Sequence, residues 1–458
     1  MANAPEATLR RFQSPVARQS AALDELVRQA VFGGPEEREQ ARWLIWEIGQ
    51  QAGVRPASIH ELYLARGRGQ VRPFTTPAMN IRVLSYDSAR AVFRAAKRLD
   101  VGALICEIAR SEIGYTEQRP AEYVAVMTAA ALREGFTGPL FIQGDHVQVN
   151  AKKYAVDAET ELQAIRTLIE EELHAGFYNI DVDTSTLVDL SQATLDAQQR
   201  VNYERAAELT QFIRDREPQG VTVSVGAEIG EVGGKNSDVH ELKAFMDGYV
   251  RTLARLGPHA GISKISVQTG TSHGGVVLPD GSIAKVQIDL DALKALSADA
   301  RSKYGLGGAV QHGASTLPPD AFGNFPKCEA IEIHLATNFQ NMVFDHPQLP
   351  ADLRRELQEW VKAECKDEWK KGDTEEQFYY KSRKKAIGPF KRRLWDLPAD
   401  VRAAIAADLE KTFAFLFEQL RVTGTRAVTD RYVQPPLQSH AQPRPVAVAA
   451  PDDLEAGE

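Results

Sequence analysis

The sequence predicts an α/β protein, a (β/α)8 TIM barrel with helical N- and C-terminal additions. Three observations lead there. Between about residues 77 and 345, short β-branched or apolar runs alternate with amphipathic stretches of ten or more residues. Eight such units occur, and no glycine fingerprint for a dinucleotide follows the first run, which disfavours an open doubly wound sheet. On either side, the apolar spacing switches to three and four, the period of a helix.

The elements follow in order. Residues 1–74 form a helical extension, seen in LDELVRQAVF and ARWLIWEIGQQ. The barrel occupies residues 75–345, with strands expected at PAMNI (77–81), VGALICEI (101–108), PLFIQ (139–143), FYNIDV (177–182), VTVSV (221–225), ISKISVQT (262–269), GAVQ (308–311) and AIEIHL (330–335). Helix patterns such as SARAVFRAAKRL and ELQAIRTLIEEELHAG lie between them. Residues 346–433 return to helix, and residues 434–458, rich in proline and alanine without periodicity, read as a disordered tail.

Composition excludes several classes. No apolar run approaches the roughly 20 residues that span a bilayer, and MANAPEATLRRFQSP lacks the apolar centre of a secretory signal, so the chain is expected in the cytoplasm and off the membrane. A net charge of −8 argues against broad nucleic-acid binding, although KSRKKAIGPFKRRLW (381–395) is a local basic cluster. Cys106, Cys328 and Cys365 are too widely spaced for a metal knot and read as reduced thiols.

In a barrel the chemistry collects where strands end. Asp145 and His146 follow the third strand, Asp181 and Asp183 end the fourth, Glu228 ends the fifth, His273 follows the sixth and His312 the seventh. Three of the ten histidines thus stand at equivalent ends of three strands, beside small residues. Three imidazoles converging on one mouth match a metal with three protein ligands and an open position for substrate.

The ordered series MNIR, QGDH, AGFYNIDVDTS, VSVGAEIGEVGG, GTSHGG and QHGAS resembles the class II, metal-dependent ketose-bisphosphate aldolases, which include the fructose- and tagatose-bisphosphate enzymes. The resemblance covers roughly residues 75–345. It implies that His146, His273 and His312 hold a catalytic Zn2+, with Co2+ or Mn2+ as alternatives, and that Glu228 and Asp183 lie close to that metal or take it up in a second position. It also implies that Asp145 is the catalytic carboxylate, that Gly274 and Gly313 let backbone approach substrate or a monovalent cation, and that the protein is a homo-oligomer. The chemistry suits these residue types. A divalent metal polarises the ketose carbonyl and takes up charge as the C3–C4 bond breaks, and a carboxylate at the C4 hydroxyl serves as base in cleavage and acid in condensation.

The chain also departs from that pattern. A loop that in the family reads like GGEEDG, with a carboxylate for proton transfer, reads GGKNSD here, placing Lys235 and Asn236 there. The family's phosphate motifs, HGGSG and KINxxTD, become HGAST and EIHLATN, with Ala314, Thr316, Glu332 and His334 at divergent positions. Ser315 and Thr337 remain, so Asn80, Gly274, Gly313, Ser315, His334 and Thr337 are expected around a sugar or sugar phosphate. Glu332, in place of lysine, is expected as a charge reversal near a phosphate. Arg383, Lys384 and Lys385 of the basic cluster are candidates to fold over the mouth and supply anion contacts. The leading expectation is an aldolase; a ketose 4-epimerase that cleaves and re-adds the aldehyde is the alternative, and a non-catalytic accessory subunit the third.

Overall fold

The computed structural model describes residues 4–230, 235–270, 278 and 288–443. A short strand, β1 (Val54–Ala57), precedes eight others: β2 (Thr76–Asn80), β3 (Ile105–Ala109), β4 (Gly138–Gln148), β5 (Asn179–Asp183), β6 (Ser224–Glu228), β7 (Lys264–Val267), β8 (Ala309–Gln311) and β9 (Glu332–Leu335). All pairings are parallel. β2 pairs with β9 and β4 with β5, so β2 to β9 close into the expected eight-stranded barrel. Each of the eight apolar runs carries one of these strands.

β1 is an addition. It pairs with the first residues of β4 (Val54 opposite Gly138, Ala57 opposite Phe141), whereas β5 pairs further along, from Gln143. The Asn179 side chain ties the two: its amide donates to the Ala57 carbonyl at 3.0 Å and its oxygen accepts from Ile59 N at 2.9 Å. The next helix, His60–Gly67, carries Tyr63, which is fully buried.

Most crossover helices begin and end at residues suited to those roles. Asp157, Thr194, Asp238 and Asp289 each cap a helix N-terminus with a side-chain oxygen, and Gly176 and Gly305 close helices in the left-handed conformation. After β8 only short 3-10 turns follow, at Ala314–Thr316 and Pro319–Asn324. β9 is followed by an eight-residue helix, Thr337–Phe344. The long helix Ala399–Gln419 then lies against Ser85–Arg98, where Glu410 receives Arg94 at 2.7 Å and Arg98 at 2.6 Å.

At the other end, helices Ala21–Phe32 and Pro35–Ala52 pack on Pro120–Glu134. Residues 434–443 have neither helix nor strand, yet they are tied down along Pro35–Ala52. Trp46 Nε1 donates to the Gln438 carbonyl at 2.6 Å, and the Trp46 ring stacks on His440 with centroids 4.0 Å apart. The three cysteines are free and buried. Among the described residues, no helix is long and apolar enough to cross a membrane.

Candidate metal centre at the barrel mouth

The site is built around an irregularity in β4. The pairing of β4 with β5 shifts register between Gly144 and Val147, and His146 sits in the left-handed region with φ 41°. Regular alternation would send Asp145 and His146 to opposite faces, whereas a bulge re-aims one of them. Here both turn into the barrel mouth, as their partners show. A non-glycine residue at such a φ stores backbone strain, which the surrounding structure must over-determine. Gly144 is required beside it, because a Cβ there would stand 2.6 Å from the buried Glu172 carboxylate.

His146 Nδ1 lies 2.9 Å from Asp183 Oδ2 and 3.4 Å from Glu228 Oε2. Asp183 is itself fixed by Gln148 Nε2 at 2.7 Å and by the Ser185 hydroxyl at 2.7 Å. Burial, with Asp183 adding to it, pushes the Glu228 carboxyl well above its ordinary value. From β8, His312 Nε2 meets the Ser266 hydroxyl of β7 at 2.8 Å, and its ring centroid is 4.1 Å from that of His146.

Asp145 lies opposite. Its Oδ2 accepts from Asn80 Nδ2 at 2.9 Å, and its Oδ1 faces His334 Nδ1 at 2.9 Å. Asn80 also donates to Glu112 at 2.9 Å, and Glu112 pairs with Arg82. Burial favours the neutral acid, but the His146 and His334 imidazoles outweigh it and hold the Asp145 carboxyl well below the usual range. Asp145, His146, His312 and His334 each offer a ligand atom within 4.8 Å of the others; so do His146, Asp183 and Glu228. Imidazoles whose other nitrogen is held by a carboxylate or hydroxyl are the arrangement in which histidine ligates a metal. His146, with Asp183 behind it, and His312, with Ser266 behind it, fit that arrangement. His334 does not, because Asp145 and Glu332 occupy both its ring nitrogens.

Below the mouth lies a second polar layer where barrels ordinarily place Val, Ile and Leu. Lys264 Nζ is fully buried, 2.7 Å from Gln143 Oε1, 2.9 Å from Asp181 Oδ2 and 2.5 Å from Glu332 Oε1. Gly226 makes room for it, since a Cβ there would meet Asp181 at 2.3 Å and Lys264 at 2.9 Å. Burial opposes ionisation of Glu332, yet Lys264 and His334 pull its carboxyl down to about 2. Glu332 also accepts from Tyr63 and, at 2.9 Å, from Gln143. Glu107 accepts from Gln143 at 2.7 Å, and burial raises its carboxyl well above the ordinary value. The alternating pairs Gln143/Asp145, Asp181/Asp183, Lys264/Ser266 and Glu332/His334 are the sequence signal for this layer: polar residues two apart on a barrel strand share the inner face.

The expected site residues do not all come together. Asn80, Asp145, His146, Asp183, Glu228, His312 and His334 meet at the mouth. Glu332 corrects one expectation: it is a fully buried partner of Lys264, so no charge reversal faces a phosphate there. Gly313 adopts φ 67° directly after His312, and the Ser315 hydroxyl accepts from Ala336 N at 2.5 Å, joining the β8 and β9 loops just before Thr337. Arg383 grips Asp345 at 2.6 and 2.8 Å and Asn341 at 2.7 Å, and Lys384 lies over the Tyr115 ring; these contacts are not with the histidine cluster. Lys385 pairs with Glu368. His273 and Gly274 lie outside the described residues.

The family model described as fructose-bisphosphate aldolase class-II matches residues 70–387. No curated protein matches the sequence. Among solved structures, a probable tagatose 6 phosphate kinase from Sinorhizobium meliloti 1021 superposes with a TM-score of 0.51 at 17% identity, covering 78% of this chain and 93% of that one. A glycerol-complexed fructuronate-tagaturonate epimerase from Cohnella laeviribosi gives 0.50 at 12% identity, covering 85% and 86%. At these identities the two structures speak for the fold.

Proposed function

The chain belongs to the fructose-bisphosphate aldolase class-II family, and we propose that it is a metal-dependent enzyme that cleaves or forms the C3–C4 bond of a ketose or ketose phosphate. The observation that carries this is the juxtaposition of Asp145 with His146 and His312 in one cluster of ligand atoms. His146 and His312 would hold the metal, with His273 as the third ligand by its place in the sequence, and Asp183 and Glu228 would support His146 from its Nδ1 side. A bound Zn2+, Co2+ or Mn2+ would polarise the ketose carbonyl and lower the cost of the charge that develops on bond cleavage.

The protein's own residues do the rest. Asp145, held ionised between Asn80 and His334, takes the C4 hydroxyl proton in cleavage and returns it in condensation. Asn80 restrains one carboxylate oxygen, leaving its remaining lone pairs for substrate. Asp183 orients the His146 ring from behind. Asp183→Asn is therefore expected to weaken Zn2+ binding by about 10- to 100-fold, the usual loss for such a partner, measured by competition with a chromophoric chelator. Unchanged affinity would remove Asp183 from that role.

A second reading, a ketose 4-epimerase, is favoured by the loop after β6. An aldolase must protonate the carbanion left by cleavage, whereas an epimerase only re-adds the aldehyde after rotation. Lys235 and Asn236 stand where a proton-transfer carboxylate would be expected, and Lys235 turns away to Glu241 at 2.8 Å. Arg82, Lys264 and Arg383 are each already committed to carboxylates, which suits a substrate without two phosphates. Metal-loaded enzyme supplied with fructose and tagatose, their monophosphates and their bisphosphates, followed by 13C NMR, separates the readings. Triose release marks the aldolase, and C4 inversion without triose marks the epimerase. Neither product, together with no bound metal, would leave an accessory role.

A further inference from the structure

Four side chains form one line from the floor of the barrel to Asp145. Tyr63 stands on the helix His60–Gly67, before the family-matched segment begins at residue 70. Its hydroxyl donates to Glu332 Oε2. Glu332 Oε1 faces His334 Nε2 at 2.7 Å, and His334 Nδ1 faces Asp145 Oδ1 at 2.9 Å. Tyr63 and Glu332 are 0% exposed and His334 and Asp145 5%, so water does not compete for these bonds. We propose that Tyr63 is a positioning residue for the reaction at Asp145, acting through Glu332 and His334. This rests on the reading of Asp145 as the base.

The argument is one of rotational freedom. An imidazole can turn about its terminal torsion, which is broad and roughly two-fold. The turned ring would present carbons to Asp145 and Glu332, taking from buried Asp145 Oδ1 its imidazole donor and from Glu332 Oε1 one of three donors. That penalty locks His334 only while Glu332 keeps its own place. Lys264, Gln143 and His334 all bond to Glu332 Oε1, so they leave the carboxylate free to swing about that oxygen. Tyr63 holds Oε2 and removes that swing. The helix bearing Tyr63 is in turn seated by Asn179, through Ile59 N and the Ala57 carbonyl. The N-terminal extension thus reaches the chemistry through three hydrogen bonds.

Tyr63→Phe keeps the ring and deletes only the hydroxyl. It is expected to lower kcat about tenfold with KM and bound zinc unchanged, because small misplacements at the reacting group act on the chemical step. In 15N-histidine-labelled wild-type enzyme, the His334 Nδ1 proton is expected as a sharp downfield resonance, which broadens or disappears in Tyr63→Phe. Tyr63→Phe/Glu332→Gln is expected to match the kcat of Glu332→Gln alone, as residues acting in series do not add. Wild-type kcat with an unmoved resonance overturns the proposal. So does a fall in Tm without a change in kcat per folded enzyme, or an additive double variant. If the wild type turns over no ketose, the base reading fails, while the resonance still reports whether Tyr63 holds His334.

Discussion

Asp145→Asn is expected to lower kcat by roughly 10³-fold, within the 10² to 10⁴ range that a positioned general base contributes. The expectation follows from what the carboxylate touches. Asp145 accepts from Asn80 Nδ2 and His334 Nδ1, so both oxygens face donors. An asparagine must set its NH2 group against one of them, and it offers no site that can accept the C4 hydroxyl proton. His146 and His312, the proposed metal ligands, draw their supporting bonds from Asp183 and Ser266 instead, so bound metal should stay at the wild-type level. A loss confined to kcat, with KM little changed, is the signature of an interaction needed in the transition state. Steady-state kinetics with metal analysis on the same preparation tests it. A variant with wild-type kcat would remove Asp145 from proton transfer, and one without metal would make Asp145 a ligand.

The barrel was legible because its eight strands are buried on both faces and read as apolar runs. β1 was not, since VRPA contains Pro56 and has no apolar run; its strand state comes from docking on β4. At the site, Asp145, His146 and His312 were legible as strand-end residues, but their convergence depends on the β4 bulge, which no local pattern marks. The Lys264–Glu332 pair shows a different limit. A single-residue substitution against a family pattern suggested a reversed charge at the mouth, whereas the compensating lysine lies on another strand, 68 residues away, and the two meet only in the closed barrel. Arg383 was singled out by its charge, and its charge is spent on Asp345 with its face against Phe344 and Tyr380.

Lys264→Met should be the most destabilising conservative-volume change in the barrel interior, costing about 3–5 kcal/mol at neutral pH. Methionine fills the space of the aliphatic stem but leaves Asp181 and Glu332 buried without their ammonium. The loss should depend on pH in a direction fixed by the carboxylates. In the wild type, Glu332 is held at about 2, below its unfolded value of about 4.3, so it contributes stability above that value and loses it as pH falls toward 2. In the variant, only His334 still offsets the burial of Glu332, and Asp181, which burial already raises in the wild type, rises further, so both carboxylates shift upward. Relative to the wild type, stability is then lost as pH rises through their unfolded values. The gap between the proteins should therefore be widest near pH 7 and should narrow toward pH 4, read as the difference in urea midpoints. Lys264→Met/Glu332→Gln should recover part of the loss at pH 7, because one of the two stranded charges is gone. A pH-independent gap would mean that Lys264 acts by filling space, and the polar layer would then not be an ion-paired support for the site above it.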